Sequence, residues 1–170
     1  PMSADTVMIW LSSSKPLTAV AIAQQVELGN LDLDDPVAEF IPEFAPNGKD
    51  VITIRHLLTH TCGFRFVDTG WPEQEWNEIL RRICACHLEK NWTPGQRAGY
   101  HATSSWYLLG EIIQRISHQT LDDYLQRNVF APCGMARSWI TRTPEQLAAL
   151  APTRGILQRT GKPDSPKPMH

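Results

Sequence analysis

The chain has 170 residues, of which 42% are hydrophobic and 20% charged, and its formal net charge at pH 7 is −2. These values are typical of a globular domain with one hydrophobic core, and they argue against nucleic acid as a partner and against a transmembrane segment. Because the first residue is Pro1 rather than methionine, we expect the natural N-terminus to precede this sequence, which leaves periplasmic, secreted and cytoplasmic locations open.

The first predicted elements are a strand and a helix. The continuous apolar run of residues 7–11 predicts a short buried strand. Apolar residues at helical spacing then predict a helix that begins at Ser12 or Ser13, because Pro16 is tolerated only in a first turn. The helix is predicted to end at Gly29, since glycine readily adopts the left-handed conformation found after helix ends.

Further helices are predicted along most of the remaining chain. Apolar periodicity and turn residues place them at residues 37–41, 54–60, 73–88 and 104–117. Thr120 and Thr143 each stand three residues before an acid or an amide, a pattern that predicts two more helix starts. Residues 152–170 are polar and rich in proline, so we expect a poorly ordered tail there. The chain as given is therefore predicted to be mainly α.

Cysteine and histidine do not form a convincing metal motif. The spacing of the four cysteines matches no disulfide framework, so free thiols are expected at Cys62, Cys84, Cys86 and Cys133. Cys84 and Cys86 fall in a predicted helix, where side chains two positions apart point in different directions. His56 and His60 have the spacing of a zinc helix but lack the glutamate of the H-E-x-x-H pattern. We therefore expect no metal and no other cofactor.

Ser12 and Lys15 are the first candidates for chemistry. Residues three positions apart lie on one face of a helix, so the serine hydroxyl and the lysine amine come within hydrogen-bonding reach. A helix start also favours a developing negative charge, because the N-terminus is the positive end of the helix dipole. The S-x-x-K spacing alone is weak evidence, and the alternative interpretation is a serine-capped helix with a solvated lysine.

Three segments together resemble a known family. They are residues 5–44, the sequence VITIRHLLTHTCGF at residues 51–64, and PGQRAGYHATSSWYLLGEIIQRI at residues 94–116. All three are similar to the serine β-lactamase-related hydrolases, which include class C β-lactamases, DD-peptidases and family VIII-type carboxylesterases. The resemblance implies that residues 1–151 are the helical part of an α/β serine β-lactamase/DD-peptidase-like fold, with most of the antiparallel sheet missing.

The resemblance also implies roles for individual residues. Ser12 matches the acyl-accepting serine, and Lys15 and Tyr100 match the family's general base and acid, with the choice of working base left open. The implied substrate is a small ester, amide or β-lactam. Ala102 stands where the family's Y-x-N motif has asparagine, and His101 is expected to compensate partly in substrate binding. This departure favours an esterase or a peptidase-like relative over an efficient β-lactamase.

The family's third motif is not convincingly present. The segment Arg159-Thr160-Gly161 imitates its Lys/His-Thr/Ser-Gly pattern, but it follows Tyr100 too closely and no apolar strand precedes it. The sequence leaves open whether the true motif, with its strand, follows His170. Two hypotheses remain: a serine hydrolase that acts through an acyl-enzyme, or a truncated or degenerate relative that serves as a non-enzymatic binding or interaction domain.

Overall fold

The computed structural model describes residues 3–155. Helices account for its regular structure, at α1 (Lys15–Glu27), α2 (Val37–Phe40), α3 (Ile54–Leu58), α4 (Trp76–Ala85), α5 (Ser104–Ser117), α6 (Leu121–Leu125) and α7 (Pro144–Ala149). Short 3₁₀ turns form at Leu11–Ser14, Pro42–Phe44 and Ala151–Thr153, and a π turn forms at Gln126–Phe130. Within this part of the chain, strand pairing is limited to two isolated bridges, Val7 with Arg154 and Pro36 with Thr53.

Local sequence signals located several helices correctly. Helix α5 has the predicted bounds, and the side chains of Thr120 and Thr143 accept hydrogen bonds from the backbone at the starts of α6 and α7. Gly29 follows α1 with a φ of +72°, and the amide of Asn30 bonds the Gln25 carbonyl as in a Schellman cap. These signals succeeded because a cap or a glycine stop acts within one helical turn.

Three predictions about element boundaries were wrong. Residues 7–11 do not form a buried strand, because Val7 alone bridges another segment and the described residues offer no strand to pair with the rest. Helix α4 begins at Trp76 rather than near Glu73, so Pro72 precedes the helix. The chain becomes helical as a 3₁₀ turn at Leu11, and no serine side chain caps α1.

Helix α5 is the centre of the packing. It contacts α1, α2, α3, α4 and α6, so it is buried on more than one side. Its leucines and isoleucines on neighbouring sides of the helix are fully buried: Leu108, Leu109, Ile112 and Ile113. This central position matters for the site because the loop that carries Tyr100 leads directly into α5.

The Arg159-Thr160-Gly161 segment, and the tail from residue 156 onward, lie outside the described residues. Among residues 3–155, no helix combines the length and the apolar character needed to cross a bilayer.

The turn after α3 is held by a close backbone approach at Gly63. This residue has a φ of +93°, and an added Cβ would lie 2.2 Å from the indole of Trp92. That indole is buried and donates a hydrogen bond to the Thr61 carbonyl at 3.0 Å, while the Glu89 amide bonds the Gly63 carbonyl at 2.7 Å. The turn is therefore locked to the segment of residues 89–92, and only glycine fits at position 63.

We predict that Gly63→Ala lowers the free energy of unfolding by about 3 kcal/mol or more, because backbone strain adds to a clash with the ring of Trp92. Gly29→Ala is the matched control, since Gly29 also has a positive φ but no atom lies within 4 Å of an added Cβ. The control should lose about 1 kcal/mol, the cost of backbone strain alone. Urea unfolding measures both values, and equal losses would contradict the close approach at Gly63.

Candidate active site

Ser12 lies in an exposed 3₁₀ turn that leads into α1. Leu11, directly before it, has a φ of +49°, a left-handed conformation that is uncommon for a bulky residue. The hydroxyl of Ser14 donates to the Leu11 carbonyl at 2.7 Å, and the amide of Ser13 bonds the Trp10 carbonyl at 3.0 Å. The turn thus presents the hydroxyl of Ser12 to solvent at the start of the helical segment.

Three predicted site residues converge at this turn. The Lys15 Nζ donates a hydrogen bond to the Ser12 Oγ at 3.1 Å, as the S-x-x-K spacing predicts. The hydroxyl of Tyr100, 88 positions along the chain from Ser12, lies 2.5 Å from the same Oγ. The Lys15 Nζ is also 5.2 Å from the centre of the Tyr100 ring. The serine oxygen is therefore within hydrogen-bonding distance of both an amine and a phenol.

These contacts change the acidity of the tyrosine. The hydrogen bond with Ser12 lowers the pKa of the Tyr100 phenol, partial burial opposes that shift, and the nearby positive charge of Lys15 lowers the pKa further. The net effect is a lowered pKa, so the phenolate forms at a lower pH than in free tyrosine. A phenolate at this distance from the Ser12 Oγ is suited to take its proton.

The loop that carries Tyr100 is bonded to the turn after α3. The amide of Gly99 donates to the carbonyl of His60 at 2.9 Å, and the amide of His101 donates to the Nδ1 of His60 at 3.1 Å. In the other direction, the amides of Gly63 and Phe64 donate to the Nε2 of His101, each at 3.2 Å. Four hydrogen bonds thus join two segments that are about 40 residues apart in sequence.

The structure does not bring His101 to the substrate side, contrary to expectation. Its side chain is fully buried, and its Nε2 is occupied by the two backbone amides. Burial lowers the pKa of His101 to about 4, so the imidazole is neutral near pH 7 and can accept these hydrogen bonds. His101 therefore fixes the loop instead of replacing the missing asparagine, whereas Ala102 is exposed beside the cleft.

A large apolar cavity adjoins the serine, and sequence reasoning did not locate it. Its volume is about 590 Å³, and Ser12, Lys15 and Ala102 lie in its lining. Most of its aromatic wall comes from Trp10, Trp71, Trp76, Trp106, Tyr107 and Trp139. The abundance of tryptophan in the sequence was the available signal, but these residues come from segments that only folding brings together.

The cysteines and the two histidines with zinc-helix spacing do not line this cavity. Burial raises the pKa of the Cys62 thiol to about 12, which makes it a poor nucleophile. The Nδ1 of His56 accepts a hydrogen bond from the Thr53 amide, so His56 and His60 each bind a different backbone group. In the part of the chain that the structure describes, three or more metal-ligating side chains never cluster, and each cysteine is a free thiol.

Comparison with known proteins gives a consistent family assignment. The sequence model of the Beta-lactamase family matches residues 1–168. The chain is 30% identical to esterase EstB from Burkholderia gladioli over 169 residues, a match that covers 87% of this chain and 42% of the esterase. It is 28% identical to a β-lactamase from Escherichia coli (strain K12) over 149 residues, covering 86% of this chain and 38% of that protein.

The fold agrees with a solved structure of the same group. A penicillin-binding protein homologue from Caulobacter crescentus matches with a TM-score of 0.78 and 27% sequence identity, over 96% of this chain and 43% of that one. The chain thus spans less than half of the length of each of these relatives, and the described helices are the helical part of their fold. Because the family match runs through almost the whole sequence and the helical fold is shared, this chain belongs to the Beta-lactamase family.

Proposed function

We propose that the chain carries the nucleophile and the proton-transfer residues of a serine hydrolase, which cleaves an ester or amide through an acyl-enzyme. The observation that carries this proposal is the position of the Ser12 Oγ, 3.1 Å from the Lys15 Nζ and 2.5 Å from the Tyr100 hydroxyl. Family relatives named as an esterase and a β-lactamase support the same reaction class.

In the proposed reaction, the Tyr100 phenolate accepts the Ser12 proton as the Oγ attacks the carbonyl carbon. The positive charge of Lys15 stabilises the phenolate, and the amide of Ser12, at the start of the helical segment, donates to the developing oxyanion. Tyr100 then gives the proton to the leaving oxygen or nitrogen as the bond to the acyl carbon breaks. Water attacks the acyl-enzyme, and its proton returns through Tyr100 to Ser12.

The proposed substrate is an ester with an apolar acyl group. The aromatic cavity beside Ser12 offers a surface on which apolar groups lose contact with water, and such burial is favourable. Ala102 supplies no side-chain amide for the polar acyl chain of a β-lactam. Both features favour ester hydrolysis over efficient β-lactam hydrolysis.

The second candidate is a non-enzymatic binding or interaction domain. The observation that favours it is the exposure of apolar side chains near Ser12. Ile9, Trp10 and Leu11 have exposed fractions of 43%, 40% and 47%. A surface of this kind fits a partner as well as it fits a substrate.

Covalent labelling separates the two candidates. We predict that a fluorophosphonate probe modifies the folded protein once, and that Ser12→Ala abolishes the modification in intact mass spectra. Ser13→Ala is the matched control and should be labelled like the unaltered protein, because Ser13 is exposed in the same turn but bonds no site residue through its side chain. A well-folded protein that is not labelled would favour the non-enzymatic candidate.

The rate of labelling should depend on pH through Tyr100. The phenol is protonated below its lowered pKa and cannot then accept the Ser12 proton, so the rate should fall as the pH falls through that pKa. Tyr100→Phe should slow labelling by about 100-fold or more and remove this dependence. Tyr124→Phe is the control, because the Tyr124 hydroxyl bonds Gln25 in the core. If Tyr100→Phe keeps the pH dependence of the unaltered protein, a residue other than Tyr100 is the general base.

Ala102 should control the preference between ester and β-lactam. We predict that Ala102→Asn raises the acylation rate with penicillin relative to that with p-nitrophenyl butyrate by about tenfold, since the new amide can bond the polar acyl chain. Stopped-flow or mass-spectrometric acylation rates measure the ratio. The interpretation of Ala102 fails if the ratio stays constant or shifts towards the ester.

A further inference from the structure

His60 holds the backbone on both sides of Tyr100. Its carbonyl accepts the amide of Gly99 at 2.9 Å, and its Nδ1 accepts the amide of His101 at 3.1 Å. Gly99 and His101 are the two neighbours of Tyr100 in the chain, so one residue bonds a backbone amide on each side of the tyrosine. A shift of Tyr100 along the cleft would stretch or break these hydrogen bonds.

The ring of His60 also packs among three other aromatic rings. Its centre is 5.0 Å from the centre of the Tyr100 ring, 5.9 Å from that of His101 and 5.8 Å from that of Trp106. Contacts on these sides limit rotation of the imidazole and keep its Nδ1 directed at the His101 amide. Tyr100 is more than half exposed, so burial does little to hold its ring.

The hydrogen bond to Nδ1 requires that this atom carry no proton. Partial burial lowers the pKa of His60, and the positive charge of Lys15 lowers it further. The titratable groups that face the ring are Lys15 at the start of α1 and Tyr100 and His101 on the loop, while α5 contributes the uncharged Trp106. His60 is therefore held in the neutral form that can accept the His101 amide.

We propose that His60 is a positioning residue that keeps the Tyr100 hydroxyl at the Ser12 Oγ. The inference rests on the proposed function in one respect only, the assignment of Tyr100 to proton transfer. The predicted geometric effect is independent of catalysis: without the Nδ1 hydrogen bond, the loop of residues 99–101 relaxes and the bond between Tyr100 and Ser12 is lost.

The direct test is a spectrophotometric titration of Tyr100. Phenolate absorbance is recorded against pH for each protein and for the same protein with the additional substitution Tyr100→Phe. The difference between the two curves is the signal of Tyr100. His60→Ala should raise the pKa of Tyr100 towards the value of free tyrosine, because the hydrogen bond from Ser12 no longer favours the phenolate. The same variant should slow fluorophosphonate labelling of Ser12 by about 10-fold to 100-fold, as expected for a misplaced proton acceptor.

Two amide variants separate positioning from folding. Asparagine tolerates the left-handed φ of +59° at position 60 and places an oxygen close to the position of Nδ1, so His60→Asn should restore the Tyr100 pKa and most of the labelling rate. His60→Gln carries the same amide one bond further from the backbone, where it cannot replace Nδ1, and should behave like His60→Ala. If His60→Ala does not fold, the proposal is tested by the difference in Tyr100 pKa between His60→Asn and His60→Gln.

His56→Ala is the matched control. The Nδ1 of His56 also accepts a backbone amide, that of Thr53 at 3.2 Å, on the neighbouring turn, but His56 contacts neither Ser12, Lys15 nor Tyr100. It should lose stability without a change in the Tyr100 pKa. An unchanged Tyr100 pKa in both His60→Ala and His60→Gln would overturn the proposal. A missing reaction at Ser12 in the unaltered protein would instead count against the proposed function, because the titration needs no activity.

Discussion

The site depends on the hydrogen bonds between the turn of residues 60–64 and the loop of residues 99–101. Two hydrogen bonds run in each direction: His60 accepts two amides of the loop, and the Nε2 of His101 accepts two amides of the turn. Because these groups are largely buried, each bond satisfies a polar atom that would otherwise lose free energy on leaving water. The pairing brings Tyr100 to Ser12 across 88 positions of sequence and leads the chain into the central helix α5.

The positive charge of Lys15 acts on two titratable rings of the site. Lys15 donates to the Ser12 Oγ, lowers the pKa of Tyr100 and lowers the pKa of His60. The hydrogen bond with Ser12 is the larger cause of the lowered pKa of Tyr100, and burial is the larger cause for His60, while the charge of Lys15 adds to both shifts towards the deprotonated forms. Burial is the largest cause for both histidines: it lowers the pKa of His60, and it lowers the pKa of His101 to about 4, so both imidazoles accept backbone amides in the neutral form.

Prediction from sequence succeeded where a signal acts within one helical turn. The bounds of α5, the caps at Thr120 and Thr143, the stop at Gly29 and the contact of Lys15 with Ser12 all follow from local spacing. Prediction from sequence failed where contacts between distant segments determine the conformation. Residues 7–11 have the composition of a strand, but within residues 3–155 only Val7 of this run forms a bridge. His101 has a polar side chain that the fold buries against two amides.

The sequence by itself determined the helices, the S-x-x-K pair and membership of the family, because these depend on short-range periodicity and on recognisable motifs. Tertiary structure alone decided which way His101 faces, that His60 holds both neighbours of Tyr100, and that tryptophans from separate segments enclose one cavity. The physical reason is distance along the chain. A hydrogen bond or a cavity-wall contact between residues far apart in the sequence leaves no periodic pattern, since its geometry exists only after the helices have packed around α5.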